Sequence, residues 1–149
     1  MASSTNTNFV PAIAPENGCA LLALEDIRSL APAVRFAGHN EGSNGPDSWI
    51  RSCTWRAGDS FVSLSLTGAL TKEATRTVLR SPGADRGQRV ELTGIADAAA
   101  YYAIPDIGYC GVEANLRSYS LDISTLDVLP LPAADAFIPL VKKALSKLR

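Results

Sequence analysis

The sequence predicts an α+β domain in which an antiparallel sheet is flanked by helices on one or both faces. Residues 49–56 and 60–68 alternate apolar and polar side chains on either side of a turn, which is strand periodicity. Residues 137–148 repeat apolar side chains at helical spacing. The elements follow in the order helix, strand pair, helix, strands, helix, which gives the α+β class. No internal repeat or second domain is visible, and 149 residues with 46% hydrophobic and 19% charged content suit one domain with its own core.

Residues 1–17 read as an extended N-terminal tail with Pro11 and Pro15 and no apolar periodicity, leaving 18–149 as the folded domain. The first helix is expected from Leu22 to Leu30, with Glu25 and Asp26 in its first turn, Leu24, Ile27 and Ala31 on one face, and Pro32 ending it. Gly38 to Asp47, rich in Gly and Asn, reads as a long polar loop and the most mobile internal segment. Strands Trp49–Arg56 and Ser60–Gly68 form a hairpin across Ala57-Gly58-Asp59, with Val62, Leu64 and Leu66 on the core face of the second. Thr71 is placed to cap a short helix through Leu79, on which Leu70, Ala74 and Val78 recur every fourth residue.

A loop at 81–87 precedes strands at Gln88–Thr93, Ala98–Ile104 and Tyr109–Ala114, the last turning at 115–118 into Tyr119–Ser124. In the C-terminal helix Phe137, Leu140, Val141, Ala144, Leu145 and Leu148 draw one apolar stripe. Asp135 is the expected cap, leaving Pro139 in or near the first turn, with a kink as the alternative.

Alternation places Trp49, Arg51, Cys53 and Trp55 on one face of their strand. If Cys19 lies on a helix covering that face, the two sulfurs can meet beside Trp55, and closing a loop of this length stabilises the fold by about 4 kcal/mol. The competing reading is a pair of buried reduced thiols. Three cysteines allow only one bridge, so Cys110 is left over as a quiet strand thiol. With no C-x-x-C and one histidine, the spacings exclude the usual metal signatures.

Fourteen basic and fifteen acidic residues give a net charge of −1 and a pI near 5.8. The one basic cluster, Lys142, Lys143, Lys147 and Arg149, falls where positive charge offsets a helix macrodipole, so nucleic acid is disfavoured as a partner. No apolar run has the length of a membrane span, and the N-terminus lacks the basic and apolar regions of a signal peptide, which at face value indicates the cytoplasm. The polar lead from Met1 to Asn8 is nevertheless of the kind that follows a removed signal, and the cysteine pair points to a periplasmic or envelope-associated protein.

The chain carries no G-x-S-x-G, P-loop or G-x-G-x-x-G motif, and its only general base candidate is His39 in a Gly/Asn-rich segment. Glu25 and Asp26, adjacent on a helix, point in different directions and read as dipole partners. No catalytic residue, cofactor or metal site is therefore assigned, and the expectation is a non-catalytic module that binds another protein. Its candidate contact residues are His39, Asn40, Glu41, Asn44 and Asp47 of the polar segment with Trp49, Tyr101 and Tyr102 of the adjoining strands. A carrier of a small apolar ligand and a small hydrolase are the alternatives.

The order Cys19-Ala20-Leu21-Leu22, short helix, Cys53-Thr54-Trp55 strand, Gly94 to Tyr102, hairpin and C-terminal Leu/Lys helix resembles a family of small exported bacterial lipoproteins and periplasmic proteins of unknown function. The resemblance spans residues 17–149 and implies a PsbP-like α/β/α sandwich and export; the binding role expected from the residues themselves is that of a protein-binding module such as an inhibitor or immunity factor. Ala23 stands where such proteins often carry a capping Ser or Thr, Ala96 where glycine is common, and Cys110 is extra. The resemblance brings no catalytic residues to carry over.

Overall fold

Alternation along the strands sorts the sheet into an apolar face and a polar face. The computed structural model describes residues 9–148. Its seven strands are β1 (His39–Asn44), β2 (Ser48–Ala57), β3 (Ser60–Ala69), β4 (Gln88–Leu92), β5 (Ala98–Ile104), β6 (Tyr109–Leu116) and β7 (Tyr119–Leu126), in the spatial order β1-β2-β3-β7-β6-β5-β4. Every pairing is antiparallel. The register aligns Cys53 with Leu64, Leu64 with Ile123 and Ile123 with Val112, so one row of buried side chains runs across the sheet centre. On the opposite face the same register aligns Ser52 with Ser65, Ser65 with Asp122 and Asp122 with Glu113.

Helices α1 (Leu24–Leu30) and α3 (Ala134–Ser146) cover the apolar face. Ile27 of α1 and Phe137, Val141 and Ala144 of α3 are fully buried there, and Phe137 meets the Tyr101 ring at 6.2 Å. Burying the Ile27, Phe137 and Val141 side chains contributes about 1.5–3 kcal/mol each. Asp26 and Lys143 join the two helices at 2.7 Å. The expected start of α1 at Leu22 moves to Leu24: Ala23 has extended backbone and Asp26 accepts its N–H, so the helix begins where that carboxylate can reach back. Residues 18–21 form a separate 3-10 turn, so Cys19 sits on that turn and not on the covering helix.

In α3 the N-cap is Ala133, and Asp135 lies in the first turn as a dipole partner and not as the cap. Pro139 lies inside the helix, where it cannot donate to the Asp135 carbonyl. Leu148 lies just beyond α3 and is half-buried.

The largest difference from the sequence-based expectation is at 38–47, read there as a loop. Residues 39–44 are an edge strand, and the chain reverses through Pro46 and Asp47 with the Gly45 N–H bonded to the Ser48 carbonyl at 2.8 Å. The segment lacks β-branched residues and so carries no strand signal; the backbone groups of β2 supply the pairing instead. The helix expected over 71–79 shrinks to α2, Thr75–Val78, preceded by turns in which Thr71 Oγ1 accepts from Ala74 N. Strands β6 and β7 each run two residues past their expected ends: β6 because the hairpin needs only Arg117 and Ser118, with Arg117 in the left-handed region at φ 53°, and β7 because Thr125 and Leu126 pair with Cys110 and Tyr109 at the far end of β6.

Residues 9–16 carry no helix or strand, but Ala12 is buried, its N–H bonds to Ala69 O and its carbonyl accepts from Trp49 Nε1. Residues 1–8 and Arg149, which include the polar lead and the last member of the basic cluster, lie outside the described residues.

Candidate functional site

Two features stand out: the β1 edge and a cleft on the polar face. The edge is held from behind by the Cys19–Cys53 disulfide, which ties the 3-10 turn to β2 directly opposite Asn40. Asn40 Oδ1 accepts the Gly18 N–H at 2.9 Å, and Arg51 reaches from β2 to the carbonyls of Pro15 and Ser43. Gly38 lies so close to Cys53 Sγ and the Trp55 indole that a Cβ there would overlap both. The entry to β1 is thus fixed by contact with the disulfide.

All six residues of β1 are exposed. His39 and Glu41 approach to 3.5 Å on its outer surface, and Asn44 and Asp47 are exposed at the hairpin end. Because Gly45 pairs with Ser48 and ladder bonds alternate, Ser43, Glu41 and His39 direct their backbone groups toward β2. Asn40, Gly42 and Asn44 therefore turn theirs outward, with no backbone partner among the described residues.

The three aromatic candidates do not join this surface. Trp49 is 3% exposed and packs edge-on against Tyr119 at 6.0 Å. Tyr101 is half-buried beneath α3 and donates to the Pro132 carbonyl; burial, then the neighbouring Cys110, pushes its phenol up to about 12. Tyr102 is fully buried. Alternation put them on strands, but the N-terminal segment at Ala12 covers Trp49, Phe137 of α3 packs on Tyr101, and Arg86, in the segment joining β3 to β4, lies over Tyr102. Cys110 is a free, buried thiol 3.3 Å from Thr125 Oγ1, and burial raises its pKa.

The cleft arises because residues 70–87, connecting β3 to β4, cross the polar face. Gly83 N–H donates to Glu113 Oε1 at 2.7 Å, Asn115 Nδ2 donates to the Arg80 carbonyl, and Arg86 forms an ion pair with Asp122 at 2.8 Å. Tyr102 donates to the other Asp122 oxygen at 2.6 Å, and the Arg86 guanidinium also reaches the hydroxyls of Tyr102 and Tyr109. Burial raises the Asp122 pKa; the Tyr102 and Arg86 bonds pull against it, and Glu113 adds to it. Burial alone would lower the Arg86 pKa, but Asp122 reverses the sign and holds it above its ordinary value. Tyr102 is raised by burial first and then by the Asp122 carboxylate.

Between this network and α2 lies an open cleft of about 410 Å³, lined by Ser48, Ser65, Thr67, Ser120, Arg80 and Glu113 among others. Sequence reasoning did not select these residues. The available signal was alternation: Glu113 and Asp122 are carboxylates set opposite to Val112, Ala114, Leu121 and Ile123 in strands that are otherwise apolar on the alternate positions.

No protein-family model matches the chain, and no curated protein or solved structure shows significant similarity to it. Among the described residues no helix is long and apolar enough to cross a membrane.

Proposed function

We propose that this protein is an exported, non-catalytic module that binds another protein by accepting an extended segment of it along β1. The observation that carries this reading is an edge strand exposed along its whole length, with outward backbone groups at Asn40, Gly42 and Asn44. Strand addition takes its affinity from the backbone ladder and its selectivity from side chains beside the edge, here His39, Glu41, Ser43 and the exposed Ile50. The disulfide supports both export and a rigid scaffold for that edge. An inhibitor or immunity factor is the kind of protein that works through such stoichiometric contact. A PsbP-like sandwich belongs to the same proposal, supported by α1 and α3 on one face and α2 at the other. The cleft's hydroxyl and charged lining does not favour a carrier of apolar molecules.

The test is selection of peptides from a displayed library against the oxidised protein, followed by affinity measurement on Asn44→Pro, which removes one outward N–H without touching the β1–β2 ladder. Selected peptides should lose at least about tenfold in affinity, about 1.4 kcal/mol. Undiminished binding to the variant refutes edge pairing. A concentration-dependent dimer that the same substitution dissolves would assign the edge to a second copy of the chain instead.

A further inference from the structure

The cleft on the polar face has features that the edge-strand reading does not use. Its floor is built from hydroxyls on three neighbouring strands: Ser48 of β2, Ser65 and Thr67 of β3, and Ser120 of β7. Among the described residues none of these four hydroxyls bonds to a protein partner, although Ser120 is 8% exposed. Paired strands lie about 4.8 Å apart and same-face positions repeat at about 6.7 Å, so the four form a grid of groups that both donate and accept.

Two charged groups add to the grid. Glu113, 7% exposed, spends Oε1 on the Gly83 N–H and leaves its second oxygen available as an acceptor. Arg80 uses its carbonyl on Asn115, while its exposed guanidinium has no partner among the described residues. Arg86 and Asp122 are already committed to each other. The lining therefore holds two cations and two anions, which favours an occupant without net charge. Ile50 and Val78 supply an apolar patch in the same wall.

We propose that this cleft binds a neutral saccharide of mono- or disaccharide size. A sugar presents closely spaced hydroxyls that donate and accept, matching Ser48, Ser65, Thr67, Ser120, Glu113 and Arg80, and a C–H face that can lie on Ile50 and Val78. The volume of about 410 Å³ falls within the usual range of about 300–1,000 Å³ for small-molecule sites.

The experiment is a titration of the full-length, isotope-labelled, oxidised protein followed by amide NMR. The probes are glucose, galactose, mannose, N-acetylglucosamine, maltose and cellobiose, with Gly-Gly and inorganic phosphate for comparison. At least one sugar should give saturable shifts centred on Ser65, Thr67 and Ser120, with β1 amides unmoved, which separates this site from the proposed edge. Ser65→Ala combined with Ser120→Ala should weaken that sugar at least about tenfold at unchanged thermal midpoint. If the double variant fails to fold, Arg80→Ala at the exposed rim should weaken it severalfold. The proposal is overturned if no sugar saturates below about 50 mM, a limit corresponding to negligible affinity. It is equally overturned if shifts fall outside the cleft, or if Gly-Gly or phosphate fills it and the sugars do not.

Discussion

Replacing both bridged cysteines, Cys19→Ala with Cys53→Ala, should remove a large part of the stability without changing the fold. The bridge spans a sequence separation of 34. Closing a loop of that size lowers the entropy of the unfolded chain by about 13 cal/mol/K, about 4 kcal/mol at 25 °C. Cys53 is fully buried beneath Trp55 and Gly38, so deleting its sulfur adds about 1 kcal/mol of lost packing. A total of about 3–5 kcal/mol against the usual 5–15 predicts a domain that still folds. The thermal midpoint should fall by about 10–15 °C. Equilibrium urea unfolding without reductant, followed by fluorescence of the buried Trp49 and Trp55, measures the difference directly. A loss below about 1 kcal/mol would refute the claim that the bridge constrains the unfolded chain.

Leu145→Ala, at a site 6% exposed on the inner face of α3, should cost about 2–5 kcal/mol in the same urea assay, and an unchanged curve would show that α3 does not close the core. Arg86→Met should cost about 1–3 kcal/mol because it leaves the part-buried Asp122 carboxylate with only its Tyr102 bond among the described residues, and adding Asp122→Asn should recover part of the loss. Burial pushes Asp26 up, but the Lys143 ammonium and the Ala23 N–H outweigh it and hold the carboxyl below its ordinary value of 3.8. The folded-state pKa being the lower, the stability from this pair is full above 3.8 and lost as pH falls through the folded value. Lys143→Ala should therefore flatten the acid dependence of the urea midpoint between about pH 5 and pH 2. Ala23→Ser, at an N-cap with extended backbone and no side-chain acceptor, should stabilise by about 0.5–1 kcal/mol by thermal unfolding.

The sequence by itself determined the elements that carry strong periodicity and the class they add up to. Alternation at 49–56 and 60–68 named the core faces of β2 and β3, and the apolar stripe from Phe137 to Leu145 named α3 and its buried side. The cysteine pairing was legible for the same reason, since period-two alternation puts Cys53 beside Trp55 on the face that must be covered. Only the tertiary structure decided β1, because a Gly/Asn-rich segment has no strand preference of its own and pairs only where a neighbour's backbone demands partners. It also decided that Trp49, Tyr101 and Tyr102 face inward, since alternation assigns a side chain to a face without saying what crosses that face. The polar cleft was the least legible feature. Its lining joins residues from 48 to 122 through the β3–β7 pairing and the 70–87 crossover, contacts between positions distant in the chain that no local pattern encodes.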